Sequence, residues 1–360
     1  MPSPPPVFAI QRERLQRAVF ALRVFGRRPS GANLGALAHR LRVQHLDKKE
    51  VPVAVVLGLT YRCQCACEHC SVDAGPHRDG QDELSLEQLE GLLSDMRDMG
   101  VLKVTFFGGE PLLHPHVLRL ATLGADLGLR ISIDTNGVML DQACVDALVR
   151  ARVCNVNISI DSPDPDEHDR LRRHPGAFHT ALQGLDRLKR ARIPALISTY
   201  VTHRSLRDGS FERIVTMART RGAAGVKVLL PMVAGRWQER PDQALGPEDE
   251  ARLRAMLDPG FCYIEDALQN LRDGSLSCTA VNRSFIYISP SGALQPCPAV
   301  PVRFADLRVE PLEKAVNRMW GHAAFEHDCG ICAMNDPTFR QSVGLPLPGE
   351  GQGRQLIDVP

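Results

Sequence analysis

The chain has 360 residues, of which 44% are hydrophobic, so it is long enough to bury a full core and to hold a large domain with a smaller one. Its formal net charge is only +1, so the overall charge gives no indication of a nucleic-acid partner. No segment has the roughly eighteen uninterrupted apolar residues of a membrane span, and no signal-peptide pattern is present. We therefore expect a cytoplasmic protein, in which eleven cysteines indicate metal or redox chemistry rather than disulfides.

The first 50 residues form a basic N-terminal extension, with ten Lys or Arg against three Asp or Glu. Residues 10–25 predict an amphipathic helix, and 26–50 a connector with a second short helix. The apolar side chains of the predicted helix face are Leu15, Ala18, Val19, Leu22 and Phe25. Three roles remain open for this helix: weak contact with an anionic membrane surface, binding to a partner, and packing on the outside of the main domain.

From residue 51 onward, apolar strands alternate with amphipathic helices, which predicts a parallel sheet covered by helices. The predicted strands are 53–59, 102–107, 130–134, 155–160, 195–201 and 226–230. The predicted helices are 85–99, 116–127, 141–151, 177–191 and 211–221. Six such units are fewer than the eight of a complete barrel, so the fold class is α/β, with a partial (β/α)6 TIM-like barrel. The rhythm stops in the loop-like stretch 232–246, and we place a domain boundary near residue 240.

The most informative motif is CxxxCxxC, formed by Cys63, Cys67 and Cys70 directly after the first predicted strand. Three thiolates on one tight loop can hold three irons of a four-iron cluster and leave the fourth iron free to bind a small molecule. A zinc site remains the alternative, with His69 or Cys65 as the fourth ligand. In the cluster interpretation, Cys65 is a passenger thiol.

This spacing resembles the signature of the radical S-adenosylmethionine (radical SAM) superfamily. The resemblance implies a 4Fe-4S cluster and SAM as cofactors. It also implies reductive cleavage of SAM to a 5′-deoxyadenosyl radical, which removes hydrogen from a substrate.

The residues after the next strands resemble further motifs of that superfamily. Gly108, Gly109 and Glu110 resemble its GGEP motif, which implies that the carboxylate holds the amino group of SAM. Asn136 follows the third strand and is a candidate cofactor contact on that ground. Ser159, at the end of the fourth strand, matches a serine that binds the ribose or carboxylate of SAM in related enzymes.

The string HDRLRRHPGAF resembles the HDxxRG segment of the family and implies that Arg172 binds the SAM carboxylate. Arg173 stands where the family often has glycine, so the choice among Arg170, Arg172 and Arg173 remains open. His69 occupies a position that is commonly aromatic in the family and implies contact with the adenine.

Four cysteines beyond residue 270 indicate a second site, namely Cys278, Cys297, Cys329 and Cys332. Between them, 285–289 predicts a strand, PSGAL a hairpin turn, and 311–320 a helix. The pattern resembles the SPASM domain in its shortened, twitch form, which implies a small C-terminal α+β domain with one auxiliary 4Fe-4S cluster. Zinc is the alternative here too.

The predicted organisation is an N-terminal extension (1–50), a radical SAM barrel (51–240), an auxiliary-cluster domain (241–345) and a tail (346–360). The resemblance implies an oxidoreductase or maturase that oxidises or rearranges a natural-product precursor, either a small molecule or a peptide. An external electron donor such as flavodoxin or ferredoxin is implied as a partner. The alternatives are a peptide or protein maturase that acts with a separate recognition protein, and a non-enzymatic iron-sulfur or zinc protein for electron transfer.

Overall fold

The computed structural model describes residues 15–20, 24, 31–80, 82–264, 278–326, 332–347 and 356–359. Its parallel strands are β1 Ala54–Thr60, β2 Lys103–Gly108, β3 Arg130–Thr135, β4 Asn155–Ser159, β5 Ala195–Tyr200, β6 Gly225–Leu229, β7 Cys262–Ile264 and β8 Phe285–Ile288. The remaining strands are β9 Ala293–Gln295, β10 Val302–Arg303, β11 Ala305–Asp306 and β12 Ile357–Asp358. One sheet has the order β11-β9-β8-β1-β2-β3-β4-β5-β6-β7, and β10 pairs with β12 in a second, small sheet.

Helices lie between successive strands, as expected for right-handed parallel crossovers. The first helices are α1 (15–20), α2 Gly31–His45, α3 Leu86–Met99, α4 Val117–Asp126, α5 Gln142–Arg150 and α6 Pro165–Arg172. The later helices are α7 Ala177–Arg190, α8 His203–Arg207, α9 Ser210–Arg221, α10 Pro247–Met256, α11 Leu312–Trp320 and α12 Pro337–Ser342. In the part of the chain that is described, none of them combines the length and the apolar character that a membrane crossing requires.

The core lies between the sheet and its helices. Alternate residues along each strand point to the same side, and on the helix side these are large and fully buried, such as Leu57, Phe106 and Ile133. On the opposite side of the same strands stand small or polar residues, such as Gly58 and Asp134. A functional site is therefore expected on the side of the sheet that carries the polar side chains, near the strand ends.

The predicted α/β fold with a partial barrel is confirmed, and each of the six predicted strands and five predicted helices is present with small shifts at its ends. The parallel strand β7 was not predicted. It is three residues long and directly follows Gly260 and Phe261, so it gives little periodic signal. The predicted domain boundary near residue 240 stays a prediction. Strands from beyond that residue belong to the same sheet as the strands before it.

The C-terminal region returns to the first strand of the barrel. β8 pairs in parallel with β1, with Ala54 opposite Phe285 and Val56 opposite Tyr287. A tight turn at Gly292, with φ of 82°, leads into the antiparallel strand β9, as the PSGAL string predicted. The segment that carries Cys297 therefore lies in the same sheet as the strand that precedes the first cysteine motif.

The N-terminal helix uses a different face from the predicted one. Phe20 is 1% exposed and packs with Val24, Leu196 and Tyr263, while Val19 is 56% exposed. Leu15 is exposed as well, so these two residues of the predicted apolar face do not pack on the main domain; Leu22 and Phe25 lie outside the described residues. The physical reason is a recess at Gly225, where a Cβ atom would lie 2.5 Å from the ring of Phe20.

Candidate functional site

The cysteine motif forms a buried loop directly after β1, and all three of its predicted ligands are free thiols. Each of the three sulfurs accepts a hydrogen bond from nitrogen: Asn136 Nδ2 to Cys63 at 3.6 Å, Arg172 Nη1 to Cys67 at 3.5 Å, and Ala74 N to Cys70 at 3.3 Å. Donors aimed at sulfur stabilise the thiolate, which is the form that binds metal. The loop therefore suits a metal cluster held by three cysteines.

The fourth thiol of this loop, Cys65, behaves differently from Cys63 and Cys67, whereas burial raises the pKa of the third ligand, Cys70, to about 11. Hydrogen bonds from Cys65 lower the pKa of the Cys63 and Cys67 thiols, the latter well below its usual value, with help from Arg172. The same contacts raise the pKa of Cys65, so it keeps its proton and acts as the donor. This is the behaviour expected of a passenger thiol.

The zinc alternative gains no support from His69. Its Nε2 lies 3.2 Å from Oδ2 of Asp161, and both side chains are buried. Among the described residues, no three His, Cys, Asp or Glu side chains converge on a point where they could hold a single metal ion. A four-iron cluster has no such requirement, because each thiolate binds a different iron.

A clamp that the sequence analysis missed holds the loop from outside. Arg236 Nη1 donates to Cys67 O at 2.8 Å, and its Nη2 donates to Ala74 O at 2.6 Å. Arg236 Nε also lies 2.9 Å from Oδ1 of Asp73. The preceding residue, Gly235, has φ of 55°, and a Cβ there would lie 2.1 Å from Cys70 O. Sequence analysis placed both residues in a loop-like connector, and only their contacts show their role.

Glu110 follows β2 and is fully buried beside the loop. Its Oε1 accepts hydrogen bonds from Thr135 Oγ1 at 2.8 Å and Leu112 N at 3.1 Å, and its Oε2 accepts one from Asn136 N at 2.8 Å. Burial raises the pKa of this carboxyl to about 7, although the three donors oppose the shift. A carboxylate offers about four acceptor positions, so one remains for an incoming donor.

The two glycines before Glu110 let β2 and the cysteine loop approach each other. A Cβ on Gly108 would lie 2.3 Å from Thr60 O, and one on Gly109 would lie 2.2 Å from Arg62 O. Glu110 N donates to Arg62 O at 2.8 Å across this contact. The glycines therefore place the carboxylate next to the cysteines, and their contact with a cofactor stays a prediction.

The structure distinguishes the three candidate arginines. Arg172 is buried, lies 2.5 Å from Oδ2 of Asp161, and donates to the sulfur of Cys67. Arg170 is exposed and pairs with surface carboxylates, and Arg173 ends α6 in a left-handed conformation with φ of 49°. Arg170 reaches the cysteine loop only through Glu68 at its surface, whereas Arg172 contacts a ligand sulfur. The Nε of Arg172 has no hydrogen-bond partner among the residues that the structure describes.

The strand ends beyond β3 form the wall of a cavity of about 830 Å³. His69, Tyr200 and Trp237 meet there, with ring centroids 4.7 Å apart for His69 and Tyr200 and 5.5 Å apart for His69 and Trp237. Ser159 is half-buried at the end of β4. Sequence analysis identified the serine and the histidine but not Trp237, which lies in the same connector as Arg236.

The second cysteine group lies in the C-terminal region. Burial raises the pKa of Cys297 well above its usual value, and the nearby Cys278 and Cys332 thiols raise it further. Cys278 and Cys332 therefore lie near enough to Cys297 to affect its charge, and their role as ligands stays a prediction. Cys329, the fourth predicted ligand, lies outside the described residues.

Comparison with known families gives a match over residues 57–218 to the radical SAM superfamily. This segment contains the cysteine loop, Glu110, Asn136, Ser159 and Arg172 within its bounds. It ends before the second cysteine group.

Among characterised relatives, the AdoMet-dependent heme synthase of Methanosarcina barkeri is 26% identical over 325 residues, covering 78% of this chain and 88% of that protein. The PqqA peptide cyclase of Bradyrhizobium diazoefficiens is 26% identical over 316 residues, covering 80% of each. Two solved structures share the fold. Streptococcus suis SuiB bound to its precursor peptide SuiA has a TM-score of 0.60 at 15% identity, covering 79% of this chain and 68% of SuiB. The enzyme anSMEcpe, bound to AdoMet and a peptide, has a TM-score of 0.56 at 16% identity, covering 74% of this chain and 80% of that one.

Proposed function

We propose that this chain, which belongs to the radical SAM superfamily through residues 57–218, modifies a peptide by radical chemistry. The observation that carries the proposal is the cysteine loop, in which three free thiols, two buried and that of Cys70 half-buried, each accept a hydrogen bond from nitrogen. Like other members of its superfamily, the enzyme uses a 4Fe-4S cluster and SAM. Cys63, Cys67 and Cys70 would hold that cluster.

The cluster, when bound, supplies an electron to SAM, whose cleavage gives methionine and a 5′-deoxyadenosyl radical that removes hydrogen from the substrate. The residues of the chain bind and orient SAM for this step. Glu110 would accept from its ammonium group, with Thr135 and Asn136 fixing the carboxylate. Arg172 would donate through its unpartnered Nε to the SAM carboxylate, while Asp161 holds the guanidinium in place.

Ser159 and His69 would complete the SAM site. Ser159 ends β4, opposite Ser198 of β5, and would bind the ribose or carboxylate of SAM. His69 packs against Tyr200 and Trp237, so an adenine placed beside it would meet aromatic faces. Gly108 and Gly109 would act through the position that they give to Glu110.

An auxiliary 4Fe-4S cluster would be held by Cys278, Cys297, Cys329 and Cys332. The mutual approach of Cys278, Cys297 and Cys332 supports this assignment. Four protein thiolates leave no iron open, which suits electron transfer better than substrate binding. An external flavodoxin or ferredoxin would deliver the first electron.

The substrate class follows from the relatives and from the cavity beside His69. PqqA peptide cyclase supports a peptide, and the lining of the cavity has charges of both signs, including Glu167, Arg170, Arg204 and Asp208. A peptide offers backbone and side-chain partners for such a lining. The described N-terminal helices pack on the barrel, so a separate protein would present the peptide where more recognition is needed.

A second candidate is a step in heme formation. The heme synthase relative favours it, because the match covers 88% of that protein. A porphyrin, however, needs a broad apolar surface around its ring. The charged lining beside His69 favours the peptide.

The radical SAM assignment predicts that the anaerobically reconstituted protein, reduced with dithionite, releases 5′-deoxyadenosine from SAM. C67S should abolish this release, because it removes a ligand, while the matched variant C65S should retain it. Liquid chromatography with mass spectrometry measures the product. Equal loss of product in both variants would show that the cluster ligands are wrongly assigned. No product from the wild type would contradict the whole proposal.

The auxiliary cluster and the substrate need separate measurements. About eight irons per chain are expected for the wild type and about four for C297S. Peptides encoded beside the gene and porphyrin carboxylates can then be compared for their acceleration of 5′-deoxyadenosine release. A mass change confined to the porphyrin would favour the second candidate.

A further inference from the structure

The second N-terminal helix, α2, directs polar side chains toward the main domain. Asn33 Nδ2 donates to Gly128 O at 2.8 Å, and Arg40 Nη1 donates to Gly100 O at 2.8 Å. The buried residues of this helix are Arg40 and Val43. A surface helix of a globular domain normally places its apolar stripe against the core. In α2 this arrangement is reversed.

The outward face of α2 carries three leucines at helical spacing. Leu34, Leu37 and Leu41 are 55%, 44% and 47% exposed. Positions i, i+3 and i+7 share one side of a helix, so these side chains form one apolar surface, which we call the leucine stripe. Leu46, which is 74% exposed, directly follows the helix. Single exposed leucines are ordinary, but several on one face indicate a contact surface.

The chain around the leucine stripe is strongly basic. Residues 14–46 contain seven arginines and no Asp or Glu. Arg42 lies beside Leu41 on α2, Lys48 follows the helix, and both are exposed. Leucines flanked by cations match an anionic lipid surface, because the apolar side chains can enter the boundary between headgroups and acyl chains while the cations stay near the phosphates.

A protein partner matches this surface less well than a lipid does. A stable protein interface buries roughly 800 Å² on each partner, and three half-exposed leucines on one helix supply only a small part of that area. A lipid surface sets no such minimum, because its binding strength is the sum of apolar burial and attraction between opposite charges.

The position of α2 in the fold separates the leucine stripe from the candidate active site. Hydrogen bonds from α2 reach Val51, Gly100 and Gly128, which precede β1, β2 and β3. The cysteine loop and Glu110 follow β1 and β2 instead. Parallel strands have all their starts at one edge of the sheet and all their ends at the other. Contact through α2 therefore leaves the opposite edge, with the cysteine loop, facing away from the lipid.

We propose that the leucine stripe of α2 binds the surface of an anionic membrane and holds the protein with its cysteine loop directed toward the aqueous side. The attachment is peripheral, because only the side chains of one short helix enter the lipid boundary. Salt screens the attraction between exposed charges, so binding should weaken as the ionic strength rises. Nothing in this attachment depends on the radical chemistry, and it goes beyond the proposed function.

Sedimentation with sucrose-loaded vesicles tests the proposal on the anaerobically reconstituted protein. Vesicles of phosphatidylcholine with about one-third phosphatidylglycerol should bind the wild type, and vesicles of phosphatidylcholine alone should bind it at least about tenfold more weakly. L34Q/L37Q/L41Q should lower the binding constant for the anionic vesicles by about tenfold or more, because it removes the apolar contact. R42Q/K48Q should lower it by about tenfold, because it removes two cations.

L118Q/V309Q is the matched control. Leu118 and Val309 are also exposed apolar residues, but they lie in the first turn of α4 and in the loop between β11 and α11. This variant should bind the anionic vesicles as the wild type does. Wild-type binding by L34Q/L37Q/L41Q, or equal binding of the wild type to the two kinds of vesicle, would overturn the proposal.

Two other occupants of the leucine stripe would give different results. A second copy of the chain would give a dimer in size-exclusion chromatography that L34Q/L37Q/L41Q dissociates, with no binding of the wild type to vesicles. A segment of the same chain would make L34Q/L37Q/L41Q less stable to urea than L118Q/V309Q, whereas exposed leucines predict equal stability. Either result would overturn the proposal.

Discussion

Glu110 combines full burial with three donors on its two oxygens, which places a single carboxylate between opposing influences. Burial favours the neutral acid, and the hydrogen bonds of Thr135, Asn136 and Leu112 favour the anion. The pKa of about 7 lies where small changes of pH alter the charge. A cationic group binds favourably here only when the carboxyl of Glu110 is ionised.

The affinity for SAM is therefore expected to depend on the ionisation of Glu110. Because the raised pKa of about 7 leaves the carboxyl neutral below that value, affinity should fall as the pH drops, by about tenfold between pH 7.5 and pH 6. This range lies below the values of about 7.7–8.0 at which α-amino groups lose their proton. Equilibrium dialysis with the anaerobic holoenzyme measures the affinity.

Two variants separate this effect from a general effect of pH. E110Q should bind SAM about 10- to 100-fold more weakly at pH 7.5, with no dependence on pH, because a charge-assisted bond is lost. E90Q alters a carboxylate that pairs with Arg119 on the outer helices and should keep the wild-type profile. If the SAM affinity of E110Q still depended on pH, a group other than Glu110 would be responsible for the effect.

The sequence indicated which residue types form the candidate site more readily than it indicated which of several neighbouring residues does so. The motifs placed Cys63 and Glu110 directly after two neighbouring strands, and Arg172 at the end of the helix that follows β4. They did not distinguish Arg172 from Arg170, because all three arginines occupy one short helix end, where burial depends on how α6 packs. That packing is a tertiary property, and sequence spacing does not contain it.

At the scale of elements, the cysteine loop depends on a short segment that follows β6. The 3-10 turn Gly235–Trp237 supplies both the clamp of Arg236 and the close approach of Gly235 to Cys70 O. Such a segment has no periodicity, so its sequence indicates only a connector. Its role arises because the chain after β6 crosses to the loop that follows β1, where Arg236 N also donates to Cys70 O at 3.0 Å.

Loss of the clamp is expected to prevent the loop from holding its cluster. R236A removes two hydrogen bonds to loop carbonyls and should lower the iron content by about four per chain after reconstitution. R240A changes an exposed arginine of the same segment, which pairs with Asp242, and should bind iron as the wild type does. Iron and sulfide assays measure both, and equal iron in the two variants would contradict the prediction.

At the scale of the whole molecule, the N-terminal helix packs against the sheet. Phe20 and Val24 pack on Leu196 and Tyr263, which belong to β5 and β7. Hydrophobic periodicity correctly indicated a helix, but its apolar residues lie on more than one face. The recess at Gly225 decides which face is buried, and that recess exists only in the folded sheet.

Phe20 is accordingly expected to contribute to stability, and its exposed neighbour is not. F20A should lower the free energy of unfolding by about 3–5 kcal/mol, because it leaves a cavity between the helix and the sheet. V19A, at a position that is 56% exposed, should change it by less than about 0.5 kcal/mol. Urea denaturation measures both, and equal effects would place the helix elsewhere.

The pairing of β8 with β1 has a consequence for the making of the chain. During synthesis, β1 can pair with β2 early, but its other edge stays open until residues 285–288 have emerged. An unpaired edge is a template for aggregation. A fragment that stops near residue 240 would keep this edge permanently, so the barrel is not expected to be separable there as a well-behaved unit. A strand that is made late in synthesis therefore closes the open edge of β1, the first strand of the sheet to be made.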